Sequence, residues 1–317
     1  MNKEALRIVY MGTPDFAVES LRALVEGGYN VVAVVTMPDK PVGRHGSVLQ
    51  PSPVKQYAVE HGLKVMQPEK LKDPAFVEEL RSLKADLQIV VAFRMLPEVV
   101  WSMPPLGTFN AHASLLPKYR GAAPINWAVI NGETETGITT FFLKHEIDTG
   151  DIIQQVRIPI EETDNVEVVH DKLMALSGKL VTETVDNIIA GTVTSVPQDQ
   201  FKDVPLTPAP KIFRETCRID WNQPTKRIYD FIRGLSPYPA AWTTLEGKSV
   251  KIYEVEKEAA KVPDKPGFIS TDGKSNLKVA TADGWLHIKT LQLEGKKKMP
   301  VADLLRGLKI KENAFFL

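Results

Sequence analysis

The residue types best suited to acyl-group chemistry cluster in Phe109-Asn110-Ala111-His112-Ala113-Ser114-Leu115-Leu116-Pro117-Lys118-Tyr119-Arg120-Gly121. On an extended strand the side-chain period is two, so Asn110 and His112 project from one face, with Ser114 next if the strand runs that far. An amide can donate to a developing oxyanion and an imidazole can move a proton near neutral pH, so one surface would combine the two functions. The same pair would serve equally as satisfied polar groups at a strand end. A second segment, His145-Glu146-Ile147-Asp148-Thr149-Gly150-Asp151, offers an acid that could orient and polarise a nearby histidine. Its Asp and Gly are also what a hairpin connection asks of its backbone, so turn chemistry is the competing reading.

Other chemistries lack their residues. The first strand-to-helix turn, MGTPDF, has one glycine where a dinucleotide fingerprint needs three. No P-loop, HExxH or GxSxG occurs, which leaves phosphate cradling, zinc hydrolysis and a serine nucleophile without support. Cys217 is the single cysteine, and no Cys/His cluster has zinc-ligand spacing, so neither a disulfide nor a metal is expected. His45, His61, His145, His170 and His287 have no paired partner at a telling spacing and read as surface or packing residues, and Cys217 reads as structural.

The elements that must position Asn110 and His112 follow from periodicity. The first half alternates apolar runs with amphipathic stretches: RIVYMG, PDFAVESLRALVEGG, NVVAVVT, SPVKQYAVEHG, KVMQ, DPAFVEELRSL, DLQIVVAF. That rhythm predicts an α/β domain with a doubly wound, mostly parallel sheet covered by helices. Thr13 before Pro14 predicts an N-cap, and Gly27-Gly28 closes that helix. A strand from Thr108 carries the pair, a helix follows over Ala122 to Val129, two strands flank a turn at Asp148-Thr149-Gly150, and residues 165–190 form a long helix. Residues 193–210 hold Pro197, Pro205, Pro208 and Pro210 with little periodicity, which predicts an extended linker between a domain over 1–192 and one over 211–317. Beyond it one helix and short alternating runs at roughly ten-residue spacing suggest a small β-barrel, OB-like in build.

The length of 317 residues suits two domains, each able to bury a core. Formal charge is zero overall, but residues 211–317 carry 20 Lys and Arg against 13 Asp and Glu, an asymmetry that suggests a nucleic-acid-facing C-terminal part. Lys296-Lys297-Lys298 lie there, as do aromatics able to stack a base. No apolar run approaches a membrane span and the N-terminus has no signal-peptide pattern, so a cytoplasmic protein is expected.

Taken together, GTPDFA at 12–17, VVTMPDKPVGR at 34–44, PSPVK at 51–55, NAHASLLPKYRGAAPINWA at 110–128, DTGD at 148–151 and RIDW at 218–221 resemble the methionyl-tRNA formyltransferase family almost end to end. That resemblance implies transfer of a formyl group from 10-formyltetrahydrofolate to the amino group of initiator methionyl-tRNA, with no membrane and no obligate protein partner. It implies a catalytic trio of Asn110, His112 and Asp148, a folate-binding element of Ser114, Leu115, Leu116 and Pro117, and contact of Arg44 with the acceptor end of the tRNA. A formyltransferase acting on another amine, such as an amino sugar nucleotide, and a non-catalytic RNA-binding protein are the alternatives; the second would have no need for the trio. Two departures stand out: His45-Gly46-Ser47 follow Arg44 where the family carries lysines, and Val91-Ala92-Phe93-Arg94-Met95-Leu96-Pro97 replaces an A-Y-G pattern before the L-P.

Overall fold

The computed structural model describes residues 1–262 and 264–317. The elements of its first part are, in chain order, β1 (Arg7–Gly12), α1 (Asp15–Glu26), β2 (Asn30–Val35), β3 (Lys40–Val42), β4 (Val48–Gln50), α2 (Pro53–Glu60), β5 (Val65–Met66), α3 (Pro74–Ser82), β6 (Leu87–Val91), α4 (Glu98–Trp101), β7 (Thr108–His112), β8 (Arg120–Gly121), α5 (Pro124–Ile130), β9 (Glu135–Phe142), β10 (Ile152–Pro159) and α6 (Val166–Ala190). Seven strands form one sheet in the order β10-β9-β7-β6-β1-β2-β5. β5, β2, β1, β6 and β7 run parallel, and β9 joins antiparallel to β7.

Burial on both faces explains why β1 and β6 read as continuous apolar runs. Val9 and Met11 pack with Ala33, Val35 and Val90 and with Phe76, Val77 and Leu80 of α3. Tyr10, on the opposite face, donates its hydroxyl to the Ala17 carbonyl of α1. The sheet is therefore sandwiched between helices. The order in which strands are added reverses between β1, from which the chain winds outward to β2 and β5, and β6, from which it winds the other way to β7, so the carboxyl ends of β1 and β6 form the crevice where ligands of such sheets bind. Gly12 closes that end of β1 because a Cβ there would sit 2.8 Å from the Val91 carbonyl and 2.7 Å from the Ala17 Cβ.

The expected cap on α1 is not formed by Thr13. Pro14, in extended conformation, takes the capping position without a side-chain bond, and the Thr13 hydroxyl instead accepts from the Met37 N–H at 3.4 Å. The helix ends as expected at Gly27, with Gly28 at φ +78°.

The later elements are β11 (Pro208–Ala209), α7 (Thr225–Arg233), β12 (Ala241–Leu245), β13 (Lys248–Glu258), β14 (Ile269–Thr271), β15 (Leu277–Ala280), β16 (Trp285–Leu293), β17 (Met299–Pro300) and α8 (Val301–Gly307). Strands β12-β13-β16-β15-β14 form an antiparallel sheet, with β17 beside β16. Its two edges would be open but for the last residues of the chain. Leu317 exchanges backbone bonds with Thr244 of β12 at 3.0 and 3.1 Å, while Phe316 N–H donates to Gly267 and the Ala314 carbonyl accepts from Ile269 of β14. The sheet thus closes into a barrel, which removes the unpaired edges. Its core holds Trp221, Ile252, Leu286, Ile288 and Phe316, with Phe316 stacked on Trp221 at 5.7 Å.

The two compact units are not contiguous in sequence. Residues 1–121, 136–158 and 170–208 form one, and residues 122–135, 159–169 and 209–317 the other. Most of the segment expected as a linker thus belongs to the first unit. Val196 pairs with Ile152 on the outer strand β10 through two 2.8 Å backbone bonds, which gives an aperiodic segment its order.

Removing the Phe316 ring empties a fully packed site at the barrel closure. Phe316→Ala should therefore lower the stability of the C-terminal unit by about 3–5 kcal/mol. Denaturant unfolding followed by tryptophan fluorescence measures this, and a loss below about 1 kcal/mol would show that the closure does not hold the barrel.

Candidate active site

Strand β7 places its residues as the period of two requires. Phe109 and Ala111 are buried on one side, at 0% and 3% exposure, while Asn110 and His112 share the other. Asn110 is half-buried, and its side chain makes no hydrogen bond among the described residues. His112 is 8% exposed, and its Nε2 lies 2.8 Å from the Tyr119 carbonyl. A carbonyl only accepts, so Nε2 carries the hydrogen and the neutral ring keeps its lone pair on Nδ1. The Asp148 carboxylate faces that Nδ1 at 3.8 Å. The distance is too long for a hydrogen bond and suits charge compensation once Nδ1 is protonated. The Tyr119 carbonyl, rather than Asp148, sets the tautomer; a backbone group has no signature in the sequence.

Residues 113–121 form the arch that delivers this carbonyl. The Ser114 hydroxyl, fully buried, donates to the Lys118 carbonyl at 2.8 Å. The Thr139 hydroxyl of β9 donates to the Ser114 carbonyl at 2.7 Å and accepts from the Leu116 N–H at 3.1 Å, while Gln155 of β10 donates to the Leu116 carbonyl at 2.9 Å. Tyr119 stands at φ +61° with its N–H donating to Thr207. Leu116 and Pro117 are buried and Leu115 is half-buried, with Leu116 packed against Phe141 and Ile152.

Asp148 sits in the β9–β10 connection at φ +56°, 9% exposed, and its Oδ2 accepts from the Gly121 N–H at 2.9 Å. Gly150 lets this loop press against β9, since a Cβ there would lie 1.5 Å from the Phe142 carbonyl oxygen. The backbone demands of the turn and the placing of the acid opposite His112 therefore meet in the same residues.

The remaining candidates lie elsewhere. Arg44 occupies the tip of the β3–β4 ribbon, where every residue from Lys40 to Gln50 is exposed. Asp39 anchors its base through Gln67 and Lys55, and those hydrogen bonds hold its carboxyl below the usual range. Lys296, Lys297 and Lys298 form the exposed turn after β16, with the Lys298 ammonium 4.2 Å from the centre of the Tyr253 ring. At the crevice, Ala92 has φ +50° and the Arg94 guanidinium turns back to the carbonyls of Pro68 and Glu69 at 2.8 and 2.9 Å. Cys217 is buried, and burial pushes its thiol up. Sequence reasoning did not find the Tyr119 carbonyl, which meets His112 through the backbone.

A doubly wound sheet with an amide, an imidazole and a carboxylate beside its ligand crevice defines an acyl-transfer class, and sequence comparison narrows it. The chain belongs to the formyl transferase family: the family model described as "Formyl transferase" matches residues 6–185, and "Formyl transferase, C-terminal domain" matches residues 211–309. Methionyl-tRNA formyltransferase of Parabacteroides distasonis is 69% identical over 316 residues, covering 98% of each chain, and that of Phocaeicola vulgatus is 70% identical over 320 residues, covering 99% of each. Among solved structures, the N-formyltransferase of Helicobacter canadensis shares the fold with a TM-score of 0.68 at 20% identity, covering 93% of this chain and 100% of that one. HypX of Aquifex aeolicus in complex with tetrahydrofolic acid gives a TM-score of 0.65 at 20% identity, covering 98% of this chain and 50% of that one.

Because the close approach at Gly150 leaves no room for a methyl group, Gly150→Ala should displace the Asp148 loop and lower formyl transfer by about 10²-fold or more. Transfer at the wild-type rate by a folded Gly150→Ala protein would show that loop position is immaterial.

Proposed function

We infer that the chain transfers the formyl group of 10-formyltetrahydrofolate to the free amino group of initiator methionyl-tRNA in the cytoplasm, giving N-formylmethionyl-tRNA. The observation that carries this reading is the set of Asn110, His112 and Asp148 beside the crevice of the sheet, in a chain about 70% identical end to end to enzymes named for that reaction. No helix among the described residues is long and apolar enough to cross a membrane. The residues suit the co-substrate: the Asn110 amide has no protein hydrogen bond among the described residues, so its N–H groups can serve an acyl oxygen.

The co-substrate supplies an activated one-carbon acyl group, and the α-amine is appreciably in its nucleophilic form near neutral pH, since free α-amines titrate at about 7.7–8. Asn110 donates to the formyl oxygen as negative charge builds there, a contribution of about 3–4 kcal/mol for one such donor. Nδ1 of His112 takes the proton that the amine releases and returns it to the departing nitrogen, so the imidazole ends neutral. Asp148 compensates the imidazolium in between. Ser114, Leu115, Leu116 and Pro117 form the wall for the folate, while Arg44 and the Lys296–Lys298 turn meet tRNA phosphates.

Purified protein should formylate charged initiator tRNA in preference to charged elongator tRNA and to amino sugar nucleotides; preference for a sugar nucleotide would overturn the acceptor assignment. His112→Ala should slow single-turnover transfer by about 10²–10⁴-fold with folate binding little changed. Near wild-type turnover would remove His112 from the mechanism. Replacing Lys296, Lys297 and Lys298 by Ala should flatten the log K against log salt slope of tRNA binding by roughly one unit for each phosphate left without its lysine. An unchanged slope would place the docking surface elsewhere.

A further inference from the structure

One side chain outside the expected trio is tied to Asp148 from two directions. Gln198, 4% exposed, donates from Nε2 to the carbonyls of Asp148 and Gly150, both at 2.8 Å. Its Oε1 accepts from Nε and Nη2 of Arg120 at 3.1 and 2.8 Å. Arg120 immediately precedes Gly121, whose N–H holds the Asp148 carboxylate at 2.9 Å. A ring results: carboxylate, Gly121 N–H, Arg120 guanidinium, Gln198 carboxamide, Asp148 carbonyl.

Chemistry restricts what can close this ring. Two carbonyls require two N–H donors on one atom, and the guanidinium requires an acceptor about 2 Å away on the same side chain, a pattern that a primary amide supplies. Asp148 also stands in the left-handed region at φ +56°, a conformation unfavourable for a non-glycine residue that persists where the surroundings hold it. The Gln198 amide grips the backbone at that residue and two residues on.

We propose that Gln198 is a positioning residue for formyl transfer, acting through Asp148 to keep its carboxylate opposite Nδ1 of His112. The proposal rests on the role inferred above for Asp148.

Single-turnover transfer, KM for each substrate and thermal unfolding are measured for Gln198→Met, Gln198→Glu, Asp148→Asn and the double variant Gln198→Met/Asp148→Asn. Met fills the volume without donors or an acceptor; Glu keeps the acceptor for Arg120 but turns oxygens on both carbonyls. Both single Gln198 variants should slow the transfer step by about 10–100-fold, as loss of a group that orients a reacting one does, with KM values within about twofold of wild type. The double variant should be no slower than Asp148→Asn alone, because a residue acting only through Asp148 has nothing left to position. Wild-type rates in folded Gln198→Met or Gln198→Glu, or effects that multiply in the double variant, would overturn the proposal. If Gln198→Met fails to fold, the near-isosteric Gln198→Glu in the same cycle decides it. Asp148→Asn at the wild-type rate would instead refute the underlying role of Asp148.

Discussion

The hydrogen bond from His112 Nε2 to the Tyr119 carbonyl is the constraint around which the site is arranged. It fixes one tautomer, turns the lone pair of Nδ1 toward Asp148, and makes Nδ1 the atom through which a proton can move. A backbone carbonyl is a dependable partner for this purpose because it cannot rotate away and cannot donate. The condition is that the chain between residues 113 and 121 be held in place.

That condition accounts for much of the polar bonding nearby. Thr139 on β9, beside β7, and Gln155 on β10, the next strand out, secure the Ser114 and Leu116 backbone, and Ser114 closes the arch onto Lys118. These buried groups are satisfied within the protein, so the arch holds its shape before any ligand arrives. Asp148 is fixed from the other side by Gly121 and Gln198, with Gly150 permitting the close approach to β9. Asn110, by contrast, makes no side-chain hydrogen bond among the described residues.

The parts of this arrangement that depend on periodicity were legible in the sequence. The apolar runs of β1, β2 and β6 report burial on both faces, and the spacing of Asn110 and His112 puts them on one side of β7. Asp148 was legible as a turn acid, and the family likeness joined it to the pair. Groups whose role lies in the backbone or in a single distant bond were not. The Tyr119 carbonyl has no side-chain signature, and Gln198 stands among prolines in a segment ordered by pairing with β10 rather than by any pattern of its own. Thr13 had the composition of a cap but lost that position to Pro14, and the barrel closure by residues 314–317 depends on partners far away in the chain.

The assignment of the proton to one ring nitrogen is the claim on which the mechanism turns, and nitrogen-15 NMR of the His112 imidazole measures it directly. The account predicts that neutral His112 bears its hydrogen on Nε2, with Nδ1 showing the shift of an unprotonated nitrogen and moving on acidification. A neutral ring protonated on Nδ1, with Nε2 as the titrating atom, would contradict it.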